Sequence, residues 1–165
     1  KWVCQANELQ EARRKALDAP ESHRWVGGMD WGYNNPFVAL TAFVDPDDVM
    51  WVLEEHCASR TLLKDHAEKL DKMCRYYADP SGKQEIEEMA ALGIIVEGSD
   101  NAVAMGIERV TNRGKDGRLR ISPTCRNLIS EGETYHYRPD TDAPVKENDH
   151  SCLIFSEDPR MWKES

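Results

Sequence analysis

Between Trp25 and Phe43 the chain reads WVGGMDWGYNNPFVALTAF, an apolar run that a Gly-Tyr-Asn-Asn turn interrupts and that resumes from Pro36 to Val44. Apolar and β-branched runs bounded by Gly, Asn and Pro predict strands, so this stretch predicts a hairpin. Asp45-Pro-Asp-Asp48 is a second turn signal, and Val49 to Glu55 predicts a third strand that completes an antiparallel meander. The period then changes. Leu62, Leu63, His66, Ala67, Leu70 and Met73 recur at helical spacing behind Thr61, which predicts a helix crossing back over the sheet. Cys74 to Ala78 reads as a short aromatic strand stopped by Asp79-Pro80. Lys83 to Leu92 is helical, with Ile86, Met89 and Ala90 inward and Gly93 as its stop. A strand at Gly93 to Glu97, a helix from Ala102 to Thr111 capped by Asp100 or Asn101, and a strand at Arg118 to Ser122 follow. A helix from Pro123 to Ile129 and a weak strand-like alternation from Glu133 to Arg138 come next.

Upstream, Asn7 to Leu17 has helical composition and ends in the turn Asp18-Ala-Pro-Glu-Ser22. Residues 1–22 therefore read as a leader or linker helix, and 23–165 as the domain. The chain opens on Lys1, with no apolar core or cleavage site of a signal peptide, as expected for a piece of a longer protein.

Strands in a run followed by strands alternating with helices predict an α/β fold, a mixed sheet in which parallel strands extend the meander and helices cover the faces. Ligands of such sheets gather at the carboxyl ends of the strands. Asp30 ends the first strand and Asp79 the fourth, so they become neighbours if those two strands lie side by side. A carboxylate at the end of a buried strand is costly unless paired or bound to a cation, and two together repel. A hard divalent ion such as Mg²⁺ relieves both problems and supports phosphodiester hydrolysis. Two unrelated turn acids are the bland alternative.

With 165 residues, 40% hydrophobic and 31% charged, the composition is that of an ordinary globular domain, and no apolar run has the length of a membrane span. A net charge of −9 argues against a general nucleic-acid binder. One stretch runs the other way: Arg109, Arg113, Lys115, Arg118, Arg120 and Arg126 face only Asp116 between Arg109 and Arg126, a patch able to meet a phosphate backbone or simply a solvated surface. The five cysteines show no CxxC spacing and read as free thiols of a reducing compartment. His56 and His66 read as satisfied surface or core groups, and Trp2, Trp25, Trp31 and Trp51 as core or domain-contact residues. No phosphate loop of the GxxxxGK[ST] type is present.

Three stretches, GMDWGYNNP at 28–36, YADPSG at 77–82 and KENDH at 146–150, are spread over most of the domain. In that order they make the chain similar to the C-terminal nuclease domain of the large terminase subunit, the DNA-packaging motor protein of tailed bacteriophages. The resemblance implies an RNase H-like fold and Mg²⁺- or Mn²⁺-dependent cutting of double-stranded DNA, with two ions when substrate is bound. It matches Asp30 and Asp79 to the first two metal-binding aspartates, His150 to the histidine of the third motif, and sets Lys146 toward the cleaved strand. The family's third metal-binding aspartate has Leu153 in its slot; Asp149 is the nearest acid, followed by Glu147 and Glu157. The resemblance also implies the terminase ATPase domain, the small terminase subunit and the portal as partners, and the cytoplasm of an infected bacterium as the place of action. The residue at 153 keeps open a second reading, a nuclease-like domain that holds or docks DNA without cutting it.

Overall fold

The computed structural model describes residues 2–99 and 112–134. Six strands form one sheet in the order β5-β4-β1-β2-β3-β6: β1 Arg24–Asp30, β2 Phe37–Val44, β3 Met50–Ala58, β4 Arg75–Ala78, β5 Val96–Gly98 and β6 Leu119–Ile121. β1, β2 and β3 are the antiparallel meander that the sequence predicts, while β4 joins β1, β5 joins β4 and β6 joins β3 in parallel. Helices α1 (Ala6–Asp18), α2 (Leu63–Ala67) and α3 (Lys83–Ala91) contribute Ala16, Ala67 and Met89 to the core on one face. Helix α4 (Arg126–Thr134) covers the other with Leu128, joined by Cys125 just before it.

Helices on both faces explain the composition of β2. All eight of its residues are buried, so its sequence FVALTAFV is continuously apolar apart from Thr41, whose hydroxyl meets that of Tyr76 at 3.2 Å. Each fully buried Phe or Leu there contributes roughly 1.5–3 kcal/mol. Glu55, opposite Leu40 on β3, fixes α4 by accepting the N–H groups of Asn127 at 3.1 Å and Leu128 at 2.6 Å. An anion at a helix start satisfies orphan donors and complements the dipole.

The segment before α1 is tied to the edge of the sheet by an isolated bridge. Val3 bridges Ile121 in parallel, with the Ile121 N–H donating to the Trp2 carbonyl at 2.9 Å and the Cys4 N–H to the Ile121 carbonyl at 3.0 Å. The leader helix thus packs on the sheet through Ala16, Leu9 and Ala12.

Three predicted elements differ: the strand expected at Gly93 to Glu97 is Val96–Gly98, and two helices have other bounds. The helix expected over Thr61 to Met73 stops at Ala67, because Asp71 turns the chain: its carboxylate accepts the Met73 N–H at 2.9 Å and its backbone engages the Tyr76 hydroxyl. Leu62 and Met73, expected inward, are exposed. The last described helix starts at Arg126, after a turn in which the Ser122 hydroxyl accepts the Thr124 N–H, so Pro123 precedes the helix instead of opening it. It also runs on through Glu133, where the alternation suggested a strand. The predicted helix over Ala102 to Thr111 and the rest of the alternation to Arg138 lie outside the described residues. No helix among the described residues is long and apolar enough to cross a membrane.

The seam between β1 and β4 depends on one missing side chain. A Cβ on Gly27 would stand 2.3 Å from two ring carbons of the buried Tyr76 and 2.8 Å from the Leu40 carbonyl oxygen. Neither neighbour can yield cheaply, so Gly27→Ala is expected to destabilise the domain by about 2–3 kcal/mol. Urea unfolding should show a lower midpoint at an unchanged slope.

Candidate active site at the strand ends

In the parallel pairing of β1 with β4, Gly28 is opposite Tyr77 and Met29 opposite Ala78. Asp30, the last residue of β1, and Asp79, just past β4, are the next residues along the two strands. Neighbouring strands lie about 4.8 Å apart, so both carboxylates leave the sheet at one level from adjacent backbones. Alternation decides the face. Met29 and Ala78 belong to the core under α1, α2 and α3, and Val26, Val38 and Tyr77 to the core under α4. Asp30 and Asp79, each one residue on, therefore share the α4 side. Both are half-buried.

Local chemistry holds this corner. The Trp31 indole N–H donates to the Asp79 carbonyl at 3.2 Å, tying the end of one strand to the end of the other. Gly82 makes room for that ring, since a Cβ there would lie 2.4 Å from the indole nitrogen. The Asp79 carboxylate accepts the Ser81 N–H at 2.8 Å. That bond, with the Ser81 hydroxyl, holds the Asp79 carboxyl below the ordinary aspartate range, so it is an anion at neutral pH. Trp31 and Ser81 were legible only as a core aromatic and a turn residue; Asp-Pro-Ser is the signature that carries the Asx turn.

The basic stretch sits elsewhere. Arg113 is buried, donating to the Asp48 carbonyl and carboxylate, both at 2.6 Å. Arg118 pairs with the same carboxylate and, at 3.0 Å, with Asp116. Asp48 stands in the β2–β3 turn with φ of 59°. Lys115 is exposed and Arg120 half-buried on β6. Because Met50 pairs with Val44 and Leu119 with Met50, this group lies at the opposite end of the sheet from Asp30, about 20 Å away along a strand of seven residues. The structure thus brings Asp30 and Asp79 together and leaves Arg113, Lys115, Arg118 and Arg120 apart from them. Arg109, Lys146, Asp149 and His150 lie outside the described residues. Among the described residues no three His, Cys, Asp or Glu side chains converge as a metal-binding group.

A second titratable cluster backs the same end of the sheet on its other face. His56 and His66 share a hydrogen bond of 2.8 Å between Nε2 and Nδ1, and the buried His66 stacks on Phe37 with ring centroids 4.1 Å apart. Burial lowers the pKa of both imidazoles, and His56 depresses His66 further.

The architecture matches solved structures. The chain aligns with the P22 large terminase nuclease domain at a TM-score of 0.73 and 18% sequence identity, over 88% of this chain and 89% of that one. The fold is that of a large-terminase nuclease domain. Large terminase from a thermophilic bacteriophage also matches, at a TM-score of 0.69 and 19% identity over 79% of this chain. The complex of that thermophilic protein with ADP gives 0.70 and 20% over 81%. This chain spans 37% and 38% of the protein in those two structures. No protein-family model and no curated protein matches the sequence. At these identities the likeness is one of RNase H-like fold, and in this chain β4 lies between β5 and β1, so both acid-bearing strands are interior to the sheet.

The Asp79 environment makes a measurable prediction. Its carboxyl, followed by ¹³C NMR, should titrate below the ordinary aspartate value, and Ser81→Ala should move the midpoint part of the way back because the backbone N–H remains. A folded-state value below the unfolded one means that the contribution to stability is complete above the unfolded value. It is lost as pH falls through the folded one.

Proposed function

We propose that this chain is a divalent-metal-dependent endonuclease domain that cuts double-stranded viral DNA, in concatemeric form, during genome packaging. The observation that carries the reading is the register of β1 against β4, which presents Asp30 and Asp79 side by side on one face of a terminase-nuclease fold. Two anions in that position fit a hard cation: the sites are oxygen donors, adjacent, half-buried and, for Asp79, held deprotonated. Asp30 and Asp79 would hold Mg²⁺ or Mn²⁺, which when bound supplies charge neutralisation at the scissile phosphate and a more acidic water. The chain's own part is to fix the two carboxylates through Trp31, Gly82 and Ser81.

Asp149 as a further carboxylate, His150 beside it and Lys146 toward the cleaved strand complete the proposed catalytic set. Lys115 and Arg120, with Arg109 and the half-buried Arg118, are the proposed phosphate contacts, while Arg113, expected in the same set, is buried against Asp48 and is withdrawn from it. Those described lie about 20 Å from the acids, so they would meet the duplex several base pairs from the cut. The reading further implies the terminase ATPase domain, small subunit and portal as partners, in the cytoplasm of an infected bacterium. Leu153, in the family's third acidic slot, favours the second reading of a DNA-holding module that does not cut.

Plasmid cleavage separates the two. With Mn²⁺ or Mg²⁺ the purified protein is expected to nick or linearise supercoiled DNA, and Asp30→Asn or Asp79→Asn to slow this by on the order of 100-fold or more. Undiminished cutting by both variants would reject the site. DNA binding without any metal-dependent cleavage would establish the holding module instead.

A further inference from the structure

On the face opposite the two acids, at the same end of the sheet, a cleft of about 430 Å³ opens between the Trp31 loop, α2 and α3. Its apolar lining includes Trp31, Tyr33, Phe37 and Leu62, and its charged lining, among the described residues, consists of Glu85 and Glu88; the exposed Arg60 stands on the rim beside Thr61, outside the lining. Beneath the cleft the fully buried Phe37 is stacked by His66, which His56 hydrogen-bonds.

The rim departs from good folding chemistry in three ways at once. Arg60 adopts φ of 52°, a left-handed conformation that costs a non-glycine residue roughly 1 kcal/mol or more, and its N–H donates to the Tyr33 carbonyl at 2.7 Å. Leu62 occupies the N-cap of α2, where leucine is among the poorest choices, while the Thr61 hydroxyl turns back to the Ser59 carbonyl. Leu62 and Tyr33 are then each 57% exposed. Local rules broken together beside a concave apolar surface mark a place shaped for binding.

The lining chooses the occupant. Glu85 and Glu88 are one turn apart on α3, and neither has an ion-pair partner among the described residues. Carboxylates repel a phosphate backbone, so this cleft does not suit DNA. Aromatic faces next to carboxylates suit a guanidinium or ammonium group, through cation–π contact and charge pairing, and the exposed Leu62 suits apolar neighbours of that group. We propose that the cleft between the Trp31 loop, α2 and α3 docks a polypeptide segment presenting an arginine or lysine among apolar residues.

Because Trp31 both lines this cleft and bonds Asp79, the docked segment would touch the side chain that ties the two acidic strand ends together. The docking itself does not depend on the nuclease reading, and its test uses neither DNA nor metal.

The probe is the acetylated and amidated peptide Ala-Leu-Arg-Leu-Ala, titrated to ~10 mM into ¹⁵N-labelled protein, against the same peptide with glutamate in place of arginine. The Trp31 indole N–H signal is assigned with Trp31→Phe. The arginine peptide is expected to shift that signal and the amides of Gly32, Leu62 and Glu88 saturably, and the glutamate peptide to leave them in place. The double variant Glu85→Gln, Glu88→Gln, whose unperturbed spectrum verifies its fold, is expected to bind the arginine peptide about tenfold more weakly. Absent shifts, equal shifts with both peptides, shifts centred elsewhere, or unchanged affinity in the double variant would each overturn the proposal.

Discussion

The pairing of β4 with β1 is the contact on which the acidic corner depends, and it is a demanding one. β4 has only four residues and reaches β1 through a crossover, without a tight turn to set its register. A slip of one residue would carry Asp79 to the opposite face, because side chains alternate with a period of two. Two side-chain arrangements hold the register. The Tyr76 ring lies flush on the Gly27 backbone, with its hydroxyl satisfied by Thr41 and the Asp71 backbone. The Trp31 indole, seated over Gly82, bonds the Asp79 carbonyl one step beyond the last rung. Both belong to the glycine-rich sequences around the acids, so the residues that shape the backbone and those that carry charge arrive in the same short stretches.

Charge is sorted along the strands. The carboxylates occupy the carboxyl end of β1 and β4, while Arg113 and Arg118 gather around Asp48 at the other end, within range of Arg24. Burial lowers the Arg24 pKa, and the neighbouring Arg113 lowers it further. Arg113 bridges two bonds to Asp48 and so ties the β2–β3 turn to the chain leading into β6. Guanidinium groups suit that task because a planar fork can engage a carbonyl and a carboxylate together.

Much of this was legible in the sequence, for physical reasons that differ by element. The meander was readable because turn residues bracket apolar runs long enough to cross the core, and Asp79-Pro80 announced the end of β4 because proline cannot extend a ladder. The side-by-side placement of Asp30 and Asp79 was an assumption of topology; only the pairing of Met29 with Ala78 supplies it. Local spacing misled where a tertiary bond intervened. Leu62, Leu70 and Met73 keep a helical period, yet the Asp71 turn and the Tyr76 hydroxyl end the helix early. Glu55 looked like an ordinary strand acid, since nothing nearby in sequence shows that it caps a helix 72 residues away. The basic residues clustered in sequence, but no pattern could place them at the far end of the sheet.

The bridge formed by Trp2 to Cys4 has a mechanical consequence. The segment runs parallel to β6, and its two backbone bonds straddle Ile121. A pull along the axis of β6 would load both bonds at once in shear, where a pull perpendicular to it would let them part singly. Any torque or tension delivered through that segment would enter the sheet through β6 and spread into β3 before the connection gave way.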